Sequence, residues 1–157
     1  MLMRTFFIAA AIVVASAPLT AAYAKTPFRV VATIQSSQPV LKYGDVVAFG
    51  DFEVQLYGVY ADHSVAPSAA AKGLVHDISC DLSGDVVHYS RSAEADRRPV
   101  AMCYVYGNDI AARLVSSGVA RDCRDMSRGI YTLLEQEGRT QRNEKTPTFL
   151  LPPECGN

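Results

Sequence analysis

The N-terminal segment, residues 1–24, most limits the fold, because it determines where the chain folds and how many residues remain to form a domain. One basic residue, Arg4, precedes an apolar run over 6–18, and Ala-Tyr-Ala closes the segment at 22–24. This order is typical of a cleavable secretory signal, and the run is shorter than the ~20 residues of a membrane-spanning helix. We therefore expect export to a periplasm or the cell exterior. Removing 24 of 157 residues leaves 133, enough for one domain.

Four cysteines remain in the mature chain, at Cys80, Cys103, Cys123 and Cys155. An even number in an exported protein predicts two disulfides. No pair has the close spacing of a zinc or redox motif, so metal binding through sulfur is not expected. Three connectivities are possible. We favour Cys123 with Cys155, because that bond would tie the C-terminal tail, residues 146–157, to the body.

The charge balance is mildly acidic and uneven. The mature chain carries 14 Lys and Arg against 16 Asp and Glu, whereas a non-specific nucleic-acid binder is normally basic. Residues 25–90 carry four basic and seven acidic side chains, and residues 91–145 carry ten and eight. An anion site is therefore expected in the second half, unless these charges form only an ordinary solvated surface.

The spacing of apolar residues predicts strands in the first half of the mature chain and helices later. A strand is expected over 28–35, and a hairpin joins 40–49 to 52–59 across Gly50-Asp51. Apolar positions from Ala71 to Leu82 recur at helical spacing, ending at Gly84, and place Cys80 away from the core. Two short strands at 85–89 and 100–106, a helix at 108–117 capped by Asn108, and a third helix after Ser127 complete the pattern.

These elements predict an α+β fold that is mainly β. Five short strands with a helix between the third and fourth are typical of a small β-barrel with about three packed helices. No other apolar stretch of the mature chain is long enough to cross a membrane.

Several short motifs occur in a recognisable order. Tyr43-Gly44-Asp45-Val46 precedes a segment from Gln55 to His63, and Asp96-Arg97-Arg98-Pro99-Val100-Ala101 runs into Met102-Cys103-Tyr104-Val105. A later stretch runs from Asp109 to Ala120, and a last helical segment from Tyr131 to Arg139. From Val40 to Asn143 this order resembles the staphylococcal-nuclease (thermonuclease) family. The resemblance implies a five-stranded OB-fold barrel within a domain spanning residues 25–145.

The resemblance also implies an altered active site. In that family carboxylates hold calcium, a glutamate handles the attacking water and two arginines neutralise the phosphate. When these roles are carried over to the matching positions of this chain, Asp45 remains as a metal ligand and Arg98 as the second arginine. The other positions are substituted: Tyr43 and Tyr60 stand for carboxylates, Gln55 for the first arginine and His63 for the glutamate. Calcium-dependent nuclease activity is therefore not expected, and calcium is a cofactor only if activity survives.

Two functions follow from this pattern. The first is a non-catalytic binding or accessory domain of the cell envelope, which takes a nucleic-acid fragment, a saccharide or an envelope protein on a face lined by Tyr43, Gln55, Tyr57 and Tyr60. The alternative is a diverged nuclease or phosphodiesterase using His63 and Arg98. Each of three residues has an alternative that is only structural. His63 would occupy the loop after the third strand, Asp45 would shape a turn, and Arg98 would be a solvated loop charge.

Overall fold

The computed structural model describes residues 28–87, 98–141 and 150–156. The expected signal segment lies outside these ranges, as do His88 and Tyr89 at the end of the strand expected over 85–89. Within them the chain is mainly β with smaller helices, an α+β fold as the sequence predicts. Among the residues so described, no helix has both the length and the apolar character needed to span a bilayer.

The described residues form nine β-strands, most of them short. They are β1 (Val30–Ser36), β2 (Val40–Tyr43), β3 (Val46–Phe49), β4 (Phe52–Leu56), β5 (Val59–Tyr60), β6 (Ile78–Val87), β7 (Arg98–Val105), β8 (Asn108–Asp109) and β9 (Arg121–Asp122).

The larger sheet is mixed and runs in the order β1-β6-β7-β4-β3-β2, with β8 added beside β7. Its pairs are antiparallel except β4 with β7, which run parallel with Gln55 opposite Val100. The hairpin predicted across Gly50-Asp51 is confirmed, because β3 and β4 pair antiparallel with Phe49 opposite Phe52. A separate two-stranded sheet pairs β5 with β9.

Four α-helices accompany the sheets in the described part of the chain. They are α1 (Ala69–Lys72), α2 (Ile110–Ser116), α3 (Arg124–Ser127) and α4 (Thr132–Gln141), and a short 3-10 turn follows at Pro153–Cys155.

The N-cap of helix α2 lies one residue later than expected, at Asp109 rather than Asn108. The Asp109 carboxylate accepts hydrogen bonds from the backbone N–H groups of Ala111 and Ala112. Its other oxygen accepts the Tyr131 hydroxyl at 2.7 Å, which joins the start of α2 to the segment entering α4. Burial, together with this carboxylate, raises the pKa of Tyr131 far above its ordinary value. One aspartate therefore caps one helix and anchors another.

The main core lies between the larger sheet, α2 and the segment leading into α4. The apolar side of α2 is as predicted, with Ile110, Leu114 and Val115 fully buried. The sheet contributes Leu41, Val47, Val54, Leu56, Ile78, Cys80, Ala101, Cys103 and Val105.

The helix predicted from Ala71 to Leu82 is wrong beyond its first turn. Helix α1 ends at Lys72, and the chain from Ile78 onward is β6. Ile78 and Cys80 are buried while Ser79 between them is partly exposed, so the apolar positions there also fit the period of a strand. The segment pairs with β1 on one edge and with β7 on the other, and this pairing makes it a strand and not a helix.

The same change of element corrects the placement of Cys80. Cys80 is fully buried and bonded to Cys103, its direct cross-strand partner between β6 and β7. The second disulfide joins Cys123 to Cys155. The two disulfides expected of an exported chain are therefore present, one inside the main core and one at the C-terminal segment.

Two further expectations need correction. Five strands were expected, and the larger sheet alone has more. The third helix was expected to bury an apolar stripe of Ile130, Leu133 and Leu134. Only Leu134 packs against the core, since Ile130 and Leu133 are 56% and 75% exposed. Helix α4 instead turns Glu135 and Gly138 inward. Gly138 allows α4 to approach α2 closely, because a Cβ there would lie 2.1 Å from the carbonyl oxygen of Val115.

Replacement of Gly138 by alanine should therefore destabilise the fold. The two helices must separate to admit the methyl group, and we expect a loss of roughly 1–3 kcal/mol, more than the gain of about 1 kcal/mol in helix propensity. Urea unfolding of Gly138→Ala measures the effect. Gly84→Ala is the control, since its Cβ would meet only the Val31 side chain at 3.5 Å. Equal stability of the two variants would contradict the packing described.

Candidate functional site

Asp45 is a fully buried carboxylate between β2 and β3. One of its oxygens accepts the backbone N–H of Ala61 at 3.0 Å, and the other lies 2.8 Å from Nε2 of His63. Its backbone carbonyl accepts the N–H of Leu56 at 2.8 Å. Both carboxylate oxygens are therefore engaged by groups of the protein itself, as a buried carboxylate requires.

The His63 ring lies next to two tyrosines as well as Asp45. The ring of Tyr43 is stacked on it with centroids 4.3 Å apart and planes inclined by 12°, and the Tyr60 ring lies 5.7 Å away at 22°. The His63 side chain is 30% exposed, so one part of the ring reaches solvent. We call Tyr43, Asp45, Tyr60 and His63 the Asp45 cluster.

Tight backbone packing brings the cluster together. A Cβ on Gly44 would lie only 2.6 Å from the Cβ of Ala61, so the bend between β2 and β3 touches the chain that leaves β5. The loop carrying His63 is ordered by Asp62, whose Oδ1 accepts the hydroxyl and the backbone N–H of Ser64. These two hydrogen bonds lower the pKa of Asp62. The turn thus presents His63 to Asp45.

Gln55 and Tyr57 lie near this cluster but face different surroundings. Gln55 is 1% exposed, and its amide Nε2 donates to the carbonyl of Val59 at 3.4 Å. Tyr57 is half-buried, with its ring edge-on to Phe28 at 5.1 Å. Tyr60 is 8% exposed. Of the four residues expected to line a ligand face, Gln55 and Tyr60 thus present almost no surface, whereas Tyr43 and Tyr57 keep some.

Arg98 belongs to a second group of charges. Its Nε donates to Oε2 of Glu53 at 2.7 Å, and Lys42 donates to the other oxygen of the same carboxylate. Burial raises the pKa of Glu53, but the hydrogen bonds from Lys42 and Arg98 outweigh it and hold that pKa below its ordinary value. Glu53 therefore stays ionised between two cations contributed by β2 and β7.

The structure thus divides the residues predicted for the site. Tyr43, Asp45, Tyr60 and His63 meet in one cluster, while Arg98 is engaged with Glu53. Sequence reasoning missed Glu53 and Lys42. The ion pair of Arg98 joins residues 45 positions apart and depends on the parallel register of β4 and β7, which no local pattern reveals.

Two further observations bear on the site: a search of the described residues for metal-binding groups and a comparison with known proteins. Within residues 28–87, 98–141 and 150–156, no three or more His, Cys, Asp or Glu side chains are grouped so as to hold a metal ion. Comparison with protein-family models and with curated proteins finds no match to this chain. The function must therefore be argued from the residues themselves.

If the Asp45 carboxylate holds the cluster together, Asp45→Ala should destabilise the protein strongly. The change leaves the Ala61 N–H without its acceptor and removes the partner of His63, and we expect a loss of roughly 3 kcal/mol. His63→Ala should cost only about 1 kcal/mol, because solvent reaches its position. Thermal or urea unfolding measures both.

Asp51→Ala is the matched control, because Asp51 lies exposed in the turn between β3 and β4. Its unfolding free energy should change by less than about 0.5 kcal/mol. An Asp45→Ala protein as stable as this control would refute the structural role of the carboxylate.

Proposed function

We propose that this protein is an exported domain of the staphylococcal-nuclease type whose nuclease site has become a self-contained polar cluster, and that it serves as a binding or accessory domain. The observation that carries the proposal is the state of Asp45. Both oxygens of the one remaining family carboxylate are already engaged, by Ala61 and by His63.

The order of the strands supports a barrel of the OB type. Strands β1 and β2 lie at opposite ends of the larger sheet, yet only three residues, 37–39, join them. Four Cα steps span at most about 15 Å, whereas six strands laid flat would separate their outer members by roughly 24 Å. The sheet must therefore curl. With β1 and β2 counted as halves of one strand, β3, β4, β6 and β7 complete the five strands of the proposed barrel.

The residues around Asp45 do not suit calcium. Calcium takes about six to eight oxygen ligands, several of them from carboxylates. Here Asp45 contacts the imidazole of His63, and the rings packed on that imidazole are those of Tyr43 and Tyr60. We therefore assign no step of a reaction to calcium.

The accessible part of the cluster suggests how a ligand would bind. Tyr43 and His63 form a stacked pair that reaches the surface, and an aromatic surface of this kind suits a nucleobase, a sugar ring or an aromatic side chain of an envelope protein. The two disulfides support a location in a periplasm or outside the cell, where such bonds persist.

One contact favours the alternative enzyme. The hydrogen bond that Nε2 of His63 donates to Asp45 orients the ring, which leaves Nδ1 as the nitrogen able to exchange a proton with a bound molecule. In that reading Arg98 would stabilise the phosphate, but its guanidinium is held by Glu53. A substrate would have to displace Glu53 from Arg98, which makes this function the less favoured one.

A hydrolysis assay separates the two functions. The mature chain, residues 25–157, is incubated with single-stranded DNA, RNA and bis(p-nitrophenyl) phosphate, once with calcium and once with chelator. We expect no cleavage above the protein-free rate under either condition, because the described residues group no ligands for calcium and the guanidinium of Arg98 is engaged by Glu53.

The variants His63→Ala and His76→Ala make the assay decisive. His76 is exposed and contacts only Gly73 and Tyr106 among the described residues, so it controls for loss of a histidine. Cleavage that vanishes in His63→Ala and persists in His76→Ala would establish the phosphodiesterase and overturn the proposal. Cleavage that needs calcium would do so as well.

A further inference from the structure

A cleft of 340 Å³ lies between the C-terminal segment and the region of β9, α3 and α4, and none of its lining residues belongs to the Asp45 cluster. Three arginines line it, Arg121, Arg124 and Arg139, and Leu150 and Leu151 form an apolar part of its wall. All three arginines come from the half of the chain whose charge balance is basic. From this lining we propose that the cleft binds a small organic oxyanion, a carboxylate or phosphate joined to an apolar group.

The two acidic residues of the cleft are turned into the protein. Asp122 is 5% exposed and accepts hydrogen bonds from the hydroxyls of Ser127 and Thr132. Glu135 is also 5% exposed. The opening is different, since Arg124 is exposed and the Arg139 side chain is 64% exposed. Positive charge therefore lies at the mouth, and negative charge lies beneath it.

Glu135 orients two of the arginines without neutralising the whole cleft. Its Oε1 is 3.2 Å from Nε of Arg121 and 3.6 Å from Nε of Arg139, and its other oxygen accepts the backbone N–H of Asp122. Arg124 makes no ion pair with any residue in the described ranges. The residues lining the cleft carry three guanidinium groups and two carboxylates, and the carboxylate of Asp125 lies beside Gly156 at its edge. An arriving anion is therefore bound by charge-assisted hydrogen bonds to the exposed Arg124 and Arg139 and not by a net charge of the cleft.

The disulfide between Cys123 and Cys155 fixes the apolar wall. Both cysteines are fully buried and pack with Tyr60, while Leu151 lies against the same cluster. Next to Cys155, Gly156 is so close to Asp125 that a Cβ would lie 2.7 Å from its Oδ1. The C-terminal segment is therefore held in place beside the arginines, and the cleft is preformed.

The ligand class follows from size and lining. The volume lies at the lower end of the range of small-molecule sites, about 300–1,000 Å³, so one ring or a short chain fills it. An oxyanion meets the arginines as a charge-assisted hydrogen-bond acceptor, and an apolar group covers Leu150, which is 71% exposed. Phenyl phosphate is a suitable probe, and inorganic phosphate tests the charged part alone.

Isothermal titration calorimetry of the mature protein tests the proposal. We expect saturable binding of phenyl phosphate, weaker binding of inorganic phosphate, and affinity for phenyl phosphate that falls about tenfold or more in the double variant Arg124→Gln, Arg139→Gln. Both side chains are exposed, so the variant should fold, as circular dichroism would verify. Arg113→Gln, an exposed arginine of α2 outside the cleft, should bind like the native protein.

Leu150→Ser tests the apolar wall separately. It should weaken phenyl phosphate and leave inorganic phosphate unchanged. The proposal is overturned if native protein binds neither probe, if the double arginine variant binds as tightly as Arg113→Gln, or if the two probes bind equally well. None of the substituted residues belongs to the Asp45 cluster, so a failure here leaves the hydrolysis assay of the proposed function unaffected.

Discussion

The arrangement around the first half of the fold depends on one buried carboxylate. A charged group with no exposure to water is strongly unfavourable unless the protein supplies its partners. For Asp45 those partners are the backbone of Ala61 and the ring of His63, both from the chain that follows β5. The need to satisfy Asp45 therefore couples the bend between β2 and β3 to a loop that shares no sheet pairing with it. The rings of Tyr43 and Tyr60 then pack on the His63 imidazole and complete the Asp45 cluster.

Under the proposed origin from a nuclease, this coupling explains why the substitutions of Tyr43, Tyr60 and His63 belong together. A carboxylate in place of Tyr43 or Tyr60 would stand beside Asp45, and such a site needs a cation to offset the repulsion. Aromatic rings remove the repulsion, and a histidine in place of glutamate supplies a donor instead of another acceptor. With these three residues, the carboxylate of Asp45 has a backbone donor and a ring donor, and aromatic rings pack on that donor. In the proposed history, a metal site has become part of the folded framework.

Sequence reasoning succeeded where one local pattern had only one interpretation. The hairpin across Gly50-Asp51 and the buried side of α2 are fixed by turn chemistry and by an unambiguous period. Segment 78–82 has apolar residues that fit either period, and only its neighbours β1 and β7 make it a strand. The resemblance to the nuclease family implied that Asp45 and His63 belong to one site. The engagement of Arg98 by Glu53 was not implied, because it requires the register of two distant strands.

We propose that Asp45 is a structural carboxylate whose oxygens are engaged by the protein itself, and not a ligand of a cation. The most direct test of this proposal is a calorimetric titration of calcium into the mature protein, residues 25–157, after treatment with chelator. The account predicts no saturable heat up to millimolar calcium and no rise in melting temperature on its addition. Stoichiometric binding at micromolar calcium that is abolished by Asp45→Asn would contradict the structural role of Asp45 and would make the Asp45 cluster a metal site.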